Sequence, residues 1–156
     1  MSHGDTASPS ERGKNKAQHT KIEHQNISMA SQEREKIMAS EIKPVVIYED
    51  SFAKLDIRVG RVVDVELETR TNKQTYKMVV DFGKYGKRVS YGRFTCHPIE
   101  EVKGRLVLGI VNFPPRQMGP VTSDVLILGV QYPKAESGEA TFVSPAAQAK
   151  IGSKLF

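Results

Sequence analysis

The apolar runs between Phe52 and Phe156 stand too close together for helices to cross between them. Parallel strands need a crossover of about a dozen residues or more, whereas antiparallel strands need only a turn. The runs are DIRVGRVVDVELE (Asp56–Glu68), TYKMVVDFG (Thr75–Gly83), KRVSYGRF (Lys87–Phe94), RLVLGIVNF (Arg105–Phe113) and DVLILGVQY (Asp124–Tyr132). A short sixth run, EATFVSP (Glu139–Pro145), follows. Between the third and fourth lies HPIEEVKG (His97–Gly104), a short helical turn with a glycine stop. The pattern predicts an all-β fold with five main strands and one short helix. A five-stranded OB-fold barrel has this arrangement, and an SH3-like barrel or small sandwich shares it.

In the first run, alternation places Ile57, Val59, Val63, Val65 and Leu67 on one face, with Arg61 interrupting them. Arg58, Asp64, Glu66 and Glu68 fall on the other face. Gly60 points to a bulge or strong coiling, which a small closed barrel needs. The fourth run is apolar on both faces, as expected of a central strand.

The barrel domain is expected over residues 45–156, preceded by an extension of residues 1–44 that is disordered or partly helical. Residues 1–27 are polar, with few large apolar side chains, and read as a flexible tail. ASQEREKIMASEIK (Ala30–Lys43) has helix formers with acids early and a lysine late, and predicts a short helix. The two parts differ in charge. Residues 1–50 hold seven Lys/Arg against eight Asp/Glu, and residues 51–156 hold sixteen against ten. The basicity belongs to the part that folds, and a basic small domain attracts polyanions. No run is long enough to span a bilayer, and the N-terminus lacks a secretory apolar stretch. With one cysteine, Cys96, no internal disulfide forms. These features predict a cytoplasmic protein without a membrane partner.

No catalytic set is apparent. His97 is the only histidine of the basic part, and its neighbour Cys96 points to the opposite side of an extended chain. The pair has no companion ligands for a metal. Cys96 reads as a small buried filler, and His97 as a residue that starts the helical turn. DFGKYGKR (Asp81–Arg88) has two glycines but no strand–loop–helix context, so it is not a phosphate loop. Neither a cofactor nor a metal is expected.

The segment VNFPPRQMGPVTSDVLILG (Val111–Gly129) is distinctive. Pro114 and Pro115 fix φ and bias the residues before them toward extended backbone. Asn112 and Arg116 are thereby displayed at set angles, and Arg116 offers a fork of donors suited to phosphate. Ser123 has a hydroxyl for backbone or phosphate. On the third run, Lys87, Arg88 and Arg93 lie beside Ser90, Tyr91 and Phe94, a mixture of cations and aromatics suited to an RNA backbone and unpaired bases. Phe94 reads as core. Lys54 and Arg58 extend the candidate patch, and Lys73 and Lys77 read as solvated surface.

FAKLDIRVGRVVDVE (Phe52–Glu66) and RLVLGIVNFPPRQMGPVTSDVLILG (Arg105–Gly129) resemble the tRNA-binding domain family, the second in its CsaA-like branch. The resemblance covers about two thirds of the chain. It implies an OB-fold, a homodimer, and non-catalytic binding of structured tRNA. It also implies peptide-binding chaperone or export activity as an alternative, and delivery of tRNA to an aminoacyl-tRNA synthetase as a further one. VSYGRFT (Val89–Thr95) departs from the small polar patch usual in the CsaA-like branch. The RNA-binding candidates are Lys54, Arg58, Lys87, Arg88, Ser90, Tyr91, Arg93, Asn112, Arg116 and Ser123.

Overall fold

The computed structural model describes Met1 and residues 9–40, 42–133 and 138–156. The chain divides into two compact units, Met1–Val45 and Val46–Phe156. The first holds one helix, α1 (Pro9–Ser40), with Ile22, Ile27 and Met29 exposed. It covers most of the stretch expected to lack structure and extends well N-terminal of the short helix expected at Ala30–Lys43. Residues 2–8, part of the same expectation, lie outside the described residues. The reason for the longer helix is local: Lys, Glu, Gln, Arg and Ala recur through the segment, and summed propensity counts over such a length. No helix among the described residues is long and apolar enough to cross a membrane.

The second unit opens with two single turns, Tyr48–Asp50 and Phe52–Lys54. Strands β1 (Ile57–Glu68), β2 (Thr75–Asp81) and β3 (Lys87–Gly92) follow, then the short helix α2 (Ile99–Val102) and β4 (Leu106–Ile110). A small hairpin, β5 (Arg116–Met118) with β6 (Val121–Ser123), precedes β7 (Leu126–Ile127), β8 (Gly129–Gln131) and β9 (Ala140–Phe142). The main sheet has the order β3-β2-β1-β4-β7, and every neighbouring pair is antiparallel. The free edge of β3 meets the segment entering β7 through Asp124 N–H to the Val89 carbonyl (2.8 Å), and the residue after it, Arg93, meets β9 through Ala140 N–H to its carbonyl (2.8 Å). This nearly closes a five-stranded OB-type barrel, and the fifth run of the sequence, Asp124–Tyr132, is split between β7 and β8.

Two glycines of the sheet exist for one side chain. Phe82 is fully buried. A Cβ at Gly60 would stand 2.8 Å from its ring, and one at Gly109 would stand 2.7 Å from it. Gly60 therefore makes room for a core aromatic. The bulge expected there lies further on, where the β1–β2 register shifts between Val62 and Asp64. That shift changes the phase of β1. Ile57 and Val59 join an outer cluster with Leu108 and Ile110, while Val62 and Val65 face the barrel interior with Met78, Val80 and Phe82. The single face expected for Ile57, Val59, Val63, Val65 and Leu67 is thus two faces, and Leu67 is 48% exposed.

Strand β4 is apolar on both sides because both are covered. Val107 faces the barrel, and Leu106, Leu108 and Ile110 face Phe52, Leu55, Ala149 and Leu155 outside it. The C-terminal segment holds to β1 through Leu155 N–H to the Ile57 carbonyl (2.8 Å) and Gly152 N–H to the Val59 carbonyl (2.8 Å). At roughly 25 cal/mol per Å² of apolar area, this second layer contributes to folding in the same way as the barrel interior.

Candidate nucleic-acid interface

Alternation on β2 and β3 sorts the candidates of the third strand. Tyr76, Met78 and Val80 are buried, and they stand opposite Gly92, Ser90 and Arg88. Arg88 and Ser90 therefore belong to the inner row. Ser90 is buried, and the Nε of Arg88 is buried without a hydrogen-bond partner. Lys87, Val89 and Tyr91 form the outer row, opposite Asp81, Val79 and Lys77. The cations of this strand do not share one face. Arg93, beyond the strand end, is ion-paired with Glu139 (2.8 Å).

The outer face is flanked by two loops, and β1 adds Glu66 opposite Lys77. Lys77 donates to Glu66 (3.1 Å), which raises its pKa. At the end of β1, Glu68 is buried yet charged. Its Oε1 accepts the backbone N–H (2.9 Å) and Nε (2.7 Å) of Arg70, and its Oε2 accepts Nη2 (2.9 Å). The side-chain bond from Arg70, then the backbone N–H, hold the Glu68 carboxyl at about 2, against an ordinary 4.5. The same bond raises Arg70, which also couples to Tyr91 across the face. The Arg70 side chain stays 59% exposed, a cation fixed in direction but open to solvent. Sequence reasoning passed over Arg70, and it read Lys77 as plain surface. A Glu-x-Arg at a strand end is common, and only the fold aims it at Tyr91.

The second loop, residues 111–125, has clamped roots and an open middle. Asn112 Oδ1 accepts the Asp56 N–H (2.8 Å), and its Nδ2 donates to the Lys54 carbonyl (2.8 Å). Ser123 is buried, accepts the Tyr91 N–H (3.3 Å) and donates to the Val125 carbonyl (2.9 Å). Between them the β5–β6 hairpin turns at Gly119 (φ 61°), braced by Gln117 Nε2 to the Gly119 carbonyl (2.6 Å) and Thr122 Oγ1 to Gln117 Oε1 (2.9 Å). Arg116, Pro114 and Pro115 stand exposed. They border a groove of about 730 Å³ with Phe113, Met118, Tyr91 and Leu126.

Arg58 is not part of this face. Its side chain is 16% exposed, with Nε 2.8 Å from Asp56, Nη1 donating to the Gly152 carbonyl (2.9 Å), and the guanidinium 3.9 Å over Tyr85. Lys54 is exposed and paired with Asp50 (3.3 Å). Cys96 is exposed, not the buried filler expected. The His97 ring is hydrogen-bonded to Thr141 Oγ1 (2.9 Å), and the His97 backbone N–H donates to the Phe94 carbonyl (3.0 Å) at the turn before α2.

An OB-type barrel presents ligands to its second and third strands and the loops beside them, which here carry Arg70, Lys77, Lys87, Tyr91 and Arg116. Residues 57–154 match the family described as "Putative tRNA binding domain", and the chain belongs to that family. It is 32% identical over 117 residues to a methionine–tRNA ligase of Porphyromonas gingivalis, covering 75% of this chain and 16% of the ligase. The chain thus spans about a sixth of the length of this relative. Among solved structures it is similar to the CsaA chaperone protein of Picrophilus torridus (29% identity, TM-score 0.64) and the chaperone CsaA of Bacillus anthracis (30%, TM-score 0.62). Each alignment covers 72% of this chain and all of the other.

Proposed function

We propose that the Val46–Phe156 unit binds structured tRNA without catalysing a reaction, by shape and charge rather than by base sequence. The observation that carries this reading is the placement of exposed cations. Arg70 and Lys73 on one loop, Lys87 on β3 and Arg116 on the other loop are exposed on the strand and the loops beside the β2–β3 face. Phosphate contacts of this kind release counterions, so affinity falls steeply with salt. Tyr91, on the outer row of β3 opposite Lys77, offers a ring to an unpaired base. Filter binding of tRNA and of unrelated duplex RNA across a salt series tests it. Salt-sensitive binding with preference for tRNA is expected, and salt-insensitive or absent binding removes the reading.

The protein acts as a cytoplasmic homodimer in this proposal. Val46, Ile47 and Tyr48 at the start of the barrel unit, with Val130 and Phe156, are large apolar side chains left exposed. Light scattering at micromolar concentration giving the mass of a single chain counts against the dimer. A second reading, a chaperone holding unfolded peptides, is favoured by the apolar lining of the groove beside Phe113 and Leu126 and by the CsaA neighbours. Apolar peptide binding resists salt where phosphate binding does not. Delivery of tRNA to an aminoacyl-tRNA synthetase fits the ligase relative, and co-purification with a synthetase tests it.

A further inference from the structure

We infer that the groove behind Arg116 is a subsite for one unstacked nucleotide of the bound RNA: the base lies against Phe113, Pro114 and Pro115, and its phosphate meets Arg116. This rests on the tRNA reading and adds to it a contact that duplex RNA cannot make.

The groove has the volume of a small-molecule site rather than of a surface dimple, about 730 Å³. Phe113 and Leu126, both on its wall, remain 42% and 39% exposed. A ring and two pyrrolidines form flat apolar surfaces, which suit the face of any base without selecting one. The walls are held before any ligand arrives. Asn112 fixes one root of the loop, Ser123 fixes the other, and the β5–β6 ladder pairs Arg116 with Ser123. A site ordered in advance loses little entropy on binding.

Charge decides between RNA and an apolar peptide as occupant. Arg116 is exposed at the rim, and residues 51–156 carry sixteen basic against ten acidic side chains. Glu139, which stands beside the groove-lining Arg93, is neutralised by its ion pair with it. Tyr91 lines the groove and also stands on the outer face of β3, so a strand of RNA crossing that face reaches the groove without leaving the protein. Unpaired loops and ends are the parts of a folded RNA whose bases can be splayed out in this way.

The test uses the full chain and two RNAs of the same stem sequence, a hairpin with 2-aminopurine at an unpaired loop position and a fully paired duplex. Wild type is expected to prefer the hairpin about tenfold and to change the 2-aminopurine fluorescence on binding. Phe113→Ala should abolish both the preference and the fluorescence change. It should leave duplex affinity and the salt slope as in wild type. Phe113→Tyr, which keeps the ring, should retain the preference. Leu126→Glu, which puts a negative charge on the groove wall from a second element, should weaken hairpin binding selectively. Melting curves of all three variants check that the barrel is intact.

A hairpin preference undiminished in a folded Phe113→Ala protein overturns the inference and leaves tRNA binding standing. So does an unfolded apolar peptide that needs Phe113 for binding and does not compete with the hairpin, since the groove then belongs to peptide. Failure of wild type to bind either RNA overturns the tRNA reading and the inference together.

Discussion

Arg58 and Arg116 carry the same charge and look alike in the sequence, one opening a strand of the family motif and one in its rigid loop. Their surroundings set them apart. Arg58 is almost enclosed, and its donors and its flat face are taken by Asp56, the Gly152 carbonyl and Tyr85. Arg116 is exposed at the margin of a groove, on a loop whose ends are tied down. A cation whose donors are spent on its own chain stabilises architecture. A cation displayed by an ordered loop is available to a ligand. The same division runs through the other polar candidates: Asn112, Ser123 and Arg93 are engaged inward, while Lys87 is exposed on the outer row of β3.

Removing the inward group should cost folding, and the largest effect falls on Arg58. Arg58→Ala removes the side-chain tie of β1 to the Gly152 carbonyl and leaves Asp56 without its ion pair. A loss of about 2–3 kcal/mol is expected, measured by urea denaturation. Next comes Asn112→Ala, which strands the Asp56 N–H and the Lys54 carbonyl in a site open to water. About 1–2 kcal/mol is expected by the same method. An Asn112→Ala protein of wild-type stability would mean that the loop root is not clamped as described.

Glu68 gives a smaller and conditional effect. Its folded pKa is depressed, so its contribution to stability is complete above pH 4.5 and is lost as pH falls toward about 2. Glu68→Gln should therefore be less stable than wild type at neutral pH, and the two should converge in acid. Parallel curves down to pH 2 would show that the Arg70 pair does not fix the loop. The smallest effect on folding is expected from Arg116→Ala, within about 0.5 kcal/mol of wild type, because its exposed side chain makes no hydrogen bond or ion pair among the described residues.

How far this division was legible in the sequence follows from what each feature depends on. Strand number, antiparallel order and the central place of β4 come from spacing and two-sided apolarity, both local properties. The phase of β1 was misread because a bulge is one extra residue, invisible to an alternating pattern that continues on either side of it. The inward tie of Arg58 needs residue 152, and the tie of Asn112 needs residues 54 and 56; contacts at such separations leave no local sign. Arg88 and Arg93 looked like one cluster because they are near in sequence. Arg88 belongs to the inner row of β3, whereas Arg93 lies past the strand end and pairs with Glu139. The rigidity of the loop around Arg116 was legible because proline writes its constraint directly into the chain.

The most direct test of the division is the salt dependence of tRNA affinity in wild type, Arg116→Ala and Arg58→Ala, each checked by melting to be folded at the assay temperature. If displayed cations bind and tied ones hold the fold, Arg116→Ala lowers the slope of log affinity against log salt by about one. Arg58→Ala keeps the wild-type slope despite its lower stability. A flattened slope in Arg58→Ala beside an unchanged one in Arg116→Ala would contradict the account.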